Sequence, residues 1–409
     1  MDTPPTGAAR ALLARSQAFG RGPRLPPMTD VETREELRAT VRRWVEREVL
    51  PVAGDLEHAD TYPDELVAQM QRMGLFGITI PEEYGGLGLD LLSYIAVIEE
   101  LAAGWMSLSG VINTHTIAAS LIVREGSQEQ KARWLPGLAQ GAPRGCLSLS
   151  EPDAGSDTRN ISCRARRDGD EFVISGTKTW VTNGERAGIV ALAARTDEGI
   201  TCFIVEKEPG PASGGITVSK NIGKLGYKGI ETVEMAYDEH RVGADCVLGG
   251  DDGLGHGLGF MLSALEVGRI NIAARAVGVA RAAFEQAIRY AQERRTFGKP
   301  IAEHQAIQAK IADMGTKLQA ARLLTEHAAT LKQSGARADV EAGMAKLFAS
   351  ETALEVATEA MRIHGGVGYT TEFPIERYYR DAPLMIIGEG TNEIQRLVIA
   401  RGLIRRYEV

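Results

Sequence analysis

Between residues 146 and 237 the chain is a succession of short β-rich runs: "CLSLSE", "ISCRARR", "EFVIS", "KTWVT", "GIVALAAR", "TCFIVEK", "GITVSKNI" and "ETVEMAY". Turn residues separate them, and no helical period comes between them. Parallel strands need long, usually helical crossovers, so this stretch argues against a doubly wound parallel sheet. Asp168-Gly169 marks a hairpin. About seven such runs point to a small β-barrel or sandwich.

Both flanks are helical. In "TDVETREELRATVRRWVEREVLP", Leu37, Val41, Trp44, Val45 and Val49 share one helical face. Thr29-Asp30 caps the start, and Pro51 is expected to end that helix. Further helices are predicted over 63–73, 91–105, 114–125 and 127–138, with a Gly-rich loop, "GITIPEEYGGLGLD", between the first two. After residue 259 the pattern is helical to the end. Ile307, Ile311, Met314, Leu318 and Ala321 form a stripe spaced by three or four. Segments near 259–294, 303–333, 338–363 and 391–405 are expected to pack as a four-helix bundle. The fold class is α+β in three parts: a helical domain over 29–143, a β domain over 144–250 and a helical bundle over 251–409. Residues 1–28 are read as a disordered tail. That tail is Ala/Arg-rich and nearly free of acids, which also suits an organelle transit peptide, but its five prolines favour disorder, and Met28 could be the natural initiator.

A net charge of −8 without a long Lys/Arg block argues against nucleic-acid binding. Four cysteines without CxxC spacing argue for a reducing compartment and against structural zinc. No apolar run approaches the ~20 residues of a membrane span, so no stable membrane insertion is expected. The expected location is the cytoplasm, or the mitochondrial matrix if the tail is a transit peptide. There is no Walker loop, HExxH or G-x-S-x-G, and "GLGHGLG" at 253–259 lacks the spacing and context of a dinucleotide fingerprint.

Five stretches remain. "SLSEPDAGSD" (148–157) and "WVTNGE" (180–185) bring hydroxyls and bare amides beside an indole, a set that can aim N–H groups at a ring or phosphate. "ERRTFGKPIAEHQ" (293–305) offers Arg294 to a phosphate. "IHGGVGY" (363–369) ends a helix in paired glycines. "MIIGEGTNEIQRL" (385–397) sets one carboxylate, Glu389, between two glycines. Each alone reads as an ordinary turn or cap. Together, in this order and in an α–β–α chain, they resemble the FAD-dependent acyl-CoA dehydrogenase family, from about residue 30 to 405.

That resemblance implies roles. Glu389 would remove the proton α to an acyl-CoA thioester while the β-hydrogen leaves as hydride to FAD N5, giving a trans-2-enoyl-CoA. Leu147, Ser148, Leu149, Ser150, Trp180, Val181 and Thr182 would hold the isoalloxazine, and Ser156 would touch both flavin and CoA. Arg294, Thr296, Phe297 and Gln305 would reach the FAD of a neighbouring subunit. Arg362, Gly365 and Gly366 would meet its ADP half, and Thr391 and Glu393 the adenine side. Glu266, Arg269, Gly390 and Arg401 would bind substrate. No metal is implied. The partners implied are an electron-transfer flavoprotein as acceptor and three more copies of the chain in a homotetramer; the role implied is fatty-acid or amino-acid catabolism.

Some family members carry the base one residue before Arg269, where this chain has Gly268. Many have Tyr before the base, where this chain has Gly388. That missing ring suggests room for acyl groups branched, cyclic or polar near Cβ, with Asn113 and His115 lining the same cavity. Two other readings share the fold: an oxygen-using flavoenzyme such as an acyl-CoA oxidase or flavin monooxygenase, and a non-enzymatic DNA-associated flavoprotein. Retention of Glu389 disfavours the monooxygenase, and the acidic charge disfavours DNA binding.

Overall fold

The computed structural model describes residues 29–408. The readings of the tail over 1–28, including the transit peptide and Met28, lie outside them. Helix α1 (Val31–Trp44) begins where Asp30 accepts the Thr33 N–H at 2.8 Å. It does not stop at Pro51. A π-helical turn over Val45–Val49 leads straight into α2 (Leu50–His58). Pro51 falls in the first turn after that change of register, where a missing N–H is tolerated.

Next come α3 (Asp64–Arg72), α4 (Leu91–Gly104), α5 (Met106–Glu125) and α6 (Gln128–Gln140). α5 starts eight residues earlier than the sequence suggested. Its first turns are buried on every side, so they carry no amphipathic stripe. It is also long and apolar enough to cross a bilayer, contrary to expectation, yet 83% of that stretch is buried within the protein. A single residue, Trp105, fully buried and extended (φ −156°, ψ 111°), joins α4 to α5.

The middle of the chain forms β1 (Arg144–Ser148), β2 (Arg164–Asp168), β3 (Glu171–Thr182), β4 (Ala187–Thr196), β5 (Gly199–Glu206), β6 (Ala212–Ser213), β7 (Ile216–Val218) and β8 (Thr232–Gly243). The sheet order is β1-β4-β2-β3-β8-β7-β6, with β5 also paired to β4. Only β1 and β2 run parallel to β4; the other pairs are antiparallel. The Asp168-Gly169 hairpin is present: Asp168 pairs with Glu171, and Gly169 takes φ +67°. β4 shows why the runs are so apolar. Ile189, Ala191 and Ala193 pack with α5 and α6 side chains such as Ile117, Leu121 and Trp134. Val190, Leu192 and Ala194 face the opposite core with Phe172 and Phe203. Both faces are covered, so the polar alternation of a half-exposed strand is absent.

The C-terminal helices are α7 (Gly257–Glu293), α8 (Gln305–Gln333), α9 (Asp339–His364), α10 (Ile375–Ile387) and α11 (Asn392–Arg406). The expected bundle is there, and α10 is an addition. Its interior Pro383 masked it in the sequence. The bundle's core is rich in alanine, with Ala273, Ala276, Ala280, Ala283, Ala345, Ala349 and Ala353 all buried. Small side chains allow close helix approach.

Candidate active site

The turn between α10 and α11 presents Glu389. α10 closes with the Gly388 N–H donating to Leu384 O at 2.8 Å. Glu389 and Gly390 then both take positive φ, +57° and +84°. A glutamate in the left-handed region is uncommon and costs strain, which marks a turn held from outside. Lys346 of α9 holds it. This fully buried ammonium donates to Ile386 O at 2.9 Å, Gly390 O at 3.0 Å and Asn392 Oδ1 at 2.7 Å. Burial pulls its pKa down to about 8. Gln395 adds a donor to Gly390 O at 3.1 Å. Thr391 caps α11 through Ile394 N.

The Glu389 carboxylate points inward, between α5 and α7. Asn113 Nδ2 of α5 donates to Oε1 at 2.9 Å. Oε2 is buried and, among the described residues, has no partner. It lies against the bare Cα of Gly268: a Cβ there would come within 2.4 Å of Oε2 and 3.1 Å of the Ile117 side chain. Burial raises the pKa above the usual carboxylate value; the Asn113 hydrogen bond and the cations of Arg275, Arg269 and Lys346 oppose it. Arg275 is itself committed, donating from Nε to Asn271 at 2.9 Å. Arg269 is buried and its Nε has no partner. Next to it, Glu266 pairs with Lys332 at 2.5 Å.

On the β side, a bulge interrupts the β3–β8 ladder between Lys178 and Val181. Trp180 sits in it with φ +60°, its side chain 63% exposed at the sheet surface. Bulges re-aim side chains in this way. Leu147 to Ser150 run alongside, with Ser150 O accepting the Thr179 N–H at 2.9 Å. Beneath both segments Lys178, fully buried, donates to Glu151 at 2.8 Å and Leu149 O at 3.0 Å. Glu151 also accepts the N–H groups of Ser162 and Cys163. This buried pair fastens "SLSE" to "KTWVT". Val181 and Thr182 are buried, while Ser156 is exposed. Just beyond Thr182, the Asn183 amide donates to Val111 O and Thr114 Oγ1 of α5, both at 2.9 Å. Helix α5 therefore touches the Trp180 strand on one side and Glu389 on the other.

The remaining predicted residues lie elsewhere. Arg294, Thr296 and Phe297 form a small hairpin after α7, with Gln305 opening α8. Phe297 is 96% exposed. From Arg269 to the end of α7 at Glu293 is 24 residues, or roughly 36 Å of helix. Arg362, Gly365 and Gly366 lie exposed at the C-terminus of α9, the same end of the bundle, where Tyr290 stacks on His364 at 4.3 Å. Added Cβ atoms at Gly365 and Gly366 would meet nothing within 4 Å. Glu393 is exposed in the first turn of α11, and Arg401 is exposed further along it.

One sequence reading needs revision, and one residue went unread. His115 does not share the Glu389 cavity. Two residues along a helix turn it through about 200°, and its Nδ1 instead accepts the Gly145 N–H at 3.0 Å beside Phe76. Lys346 was missed. Its only signal was a lysine inside an otherwise apolar "GMAKLFAS" helix.

Three family models match in chain order: the acyl-CoA dehydrogenase N-terminal domain over residues 31–142, the middle domain over 146–240 and the C-terminal domain over 255–404. The short-chain specific mitochondrial acyl-CoA dehydrogenase of Bos taurus is 41% identical over 92% of this chain and 91% of its own length. An acyl-CoA dehydrogenase of Bacillus subtilis is 40% identical over 90% of this chain and 97% of its own. The structure of butyryl-CoA dehydrogenase from Megasphaera elsdenii superposes with a TM-score of 0.86 at 34% identity, covering 93% of this chain and all of that one. With three family domains matched in order and close relatives over nine-tenths of its length, this chain belongs to the acyl-CoA dehydrogenase family of FAD-dependent oxidoreductases.

Proposed function

We propose that the protein oxidises short acyl-CoA thioesters to trans-2-enoyl-CoA, with Glu389 as the base. The observation that carries this is the buried Oε2 of Glu389, without a partner and facing glycine instead of a side chain. An α C–H is a very weak acid, so its base must be close, poorly solvated and aimed. Burial supplies the poor solvation, and the grip of Lys346 and Gln395 on the turn supplies the aim. The cations of Arg269, Arg275 and Lys346 keep the carboxylate from becoming too hard to ionise. Among the described residues nothing accepts the Glu389 N–H, which makes it the available donor to the thioester oxygen as enolate charge builds.

The residues present fit FAD. The exposed indole of Trp180 offers a face to a flat ring, and the bare backbone at Gly365 and Gly366 offers approach to a phosphate. When bound, FAD supplies the acceptor for the two electrons that leave with the β-hydrogen. The 36 Å run of α7 argues that Arg294, Thr296, Phe297 and Gln305 serve the FAD of a neighbouring copy, consistent with a homotetramer. Electron-transfer flavoprotein is the proposed acceptor. The proposed short acyl group follows the bovine short-chain and Megasphaera butyryl-CoA dehydrogenases that the chain resembles. At Gly388 an added Cβ would meet only Leu384 O, at 3.3 Å, which supports room beside the base for a branch near the acyl Cβ.

The test is anaerobic mixing of the purified holoenzyme with straight, branched and dicarboxylic acyl-CoAs, watching the flavin bleach. Bleaching fastest with a short chain, and slowed at least ~10²-fold in Glu389→Gln, is expected. Undiminished bleaching in that variant would place the base elsewhere.

A further inference from the structure

Asn113 has no part in the reaction as described, yet among the described residues it makes the one hydrogen bond to the Glu389 carboxylate. Its surroundings make that bond consequential. Asn113 is 3% exposed, and its amide has just one neighbour to donate to, Glu389 Oε1 at 2.9 Å. Its own Oδ1 is buried without a partner. The backbone around it is rigid: the next residue, Thr114, is tied to Asn183, and Val111 O to the same amide. Oε2 of the glutamate, by contrast, lies against the bare Cα of Gly268 and, among the described residues, receives no hydrogen bond. The two carboxylate oxygens are therefore unequal, one fastened and one bare.

We propose that Asn113 is a positioning residue for the base: it fastens Oε1, leaves Oε2 as the oxygen that receives the α-proton, and sets the pH at which Glu389 becomes competent. This rests on the reading of Glu389 as the base. A donated N–H stabilises the ionised carboxylate, so its loss raises the pKa of Glu389. The other groups acting on this carboxylate are Arg269 and Arg275 from α7, Lys346 from α9, Tyr94 from α4 and Tyr227 from the loop before β8. Lys346 loses its own charge near pH 8. That titration is present with or without Asn113, so the difference between wild type and variant isolates the amide.

Asn113→Leu keeps the volume and removes the donor. Asn113→Asp sets a second carboxylate beside the first, so that the two resist joint ionisation. The direct readout needs no substrate. In the resting FAD-loaded enzyme, the infrared carboxyl band lost in Glu389→Gln identifies the base, and its titration midpoint is followed in each variant. Asn113→Leu should move the midpoint upward by about one to two pH units, the worth of a charge-assisted hydrogen bond. Asn113→Asp should move it further. The flavin-bleaching rate, measured with the fastest acyl-CoA of the panel, should shift its rise to higher pH by the same amount, and with Oε1 unfastened its plateau should fall as well. A structural role alone would lower the plateau and leave the midpoint in place. An unchanged midpoint in both variants overturns the proposal even if Glu389→Gln abolishes bleaching. Full bleaching in Glu389→Gln overturns the reading of the base instead.

Discussion

Gly268→Ala tests the geometry of the proposed base by adding one methyl group. The new Cβ would stand 2.4 Å from Glu389 Oε2 and 2.9 Å from its Cδ, while ordinary contact begins near 3.4 Å. The carboxylate must retreat by about 1 Å, or α7 must move away from α5. α7 is 37 residues long and packed along its length, so the side chain is the softer partner. A misplacement of that size at a reacting group costs on the order of 10² in rate. The fold itself should tolerate the change. Alanine is favoured over glycine inside a helix by about 1 kcal/mol, which offsets much of the crowding. The assay is the anaerobic flavin-bleaching rate beside a thermal melt and a measurement of bound FAD. We expect the rate to fall about 10²-fold with FAD retained and the melting temperature within a few degrees. Gly259→Ala, in the same helix but with nothing within 4 Å of its added Cβ, should leave the rate alone. A full rate in Gly268→Ala would show that the carboxylate reacts from a position other than the one described.

Three further outcomes follow from buried groups and from the far end of α7. His115 is held neutral by burial, its pKa pushed down to about 4 from 6.5. The unfolded chain therefore takes up a proton that the folded chain refuses, and stability falls as pH drops from about 6.5 towards 4. Urea unfolding should lose roughly 2 kcal/mol between pH 7.5 and 5 from this residue alone, and His115→Asn should flatten that slope. Lys178→Met removes one partner of a fully buried ion pair and should destabilise the protein by about 3–5 kcal/mol, with loss of FAD on gel filtration if the two segments that the pair fastens hold the flavin as proposed. Arg294→Ala should weaken FAD retention and oligomer assembly together, as seen by flavin content and light scattering; a monomer holding full FAD would count against the neighbour's role.

Local signals were legible where one residue makes one contact. Asp30 caps α1, Asp168-Gly169 turns a hairpin, and the stripe at Ile307, Ile311 and Met314 marks α8. Glu389 stood out because two glycines isolate it. What stayed hidden was set by tertiary packing. α5 begins in residues buried on all sides, Pro51 follows a π-turn that no propensity encodes, and α10 survives an interior proline through its neighbours. The same holds at the site. The contacts of Asn113 and Lys346 with the Glu389 turn span 276 and 44 residues, and nothing in either local sequence reports its partner.

The single-residue join at Trp105 has a consequence for how such a chain can change over generations. One residue inserted or deleted there would rotate α5 by about 100° relative to α4. That rotation would carry Asn113 away from Glu389 and Thr114 away from Asn183 in one event, so the Glu389 turn and the Trp180 strand would lose their common spacer together. No slack is available at the join, because the indole is fully buried and the Gly229 backbone presses on it: a Cβ at Gly229 would fall within 2.4 Å of its ring. Variation that keeps both contacts is thus channelled into exchanges of side chains along α5, and changes of length into its far end near Gly126, where the helix gives way to a loop.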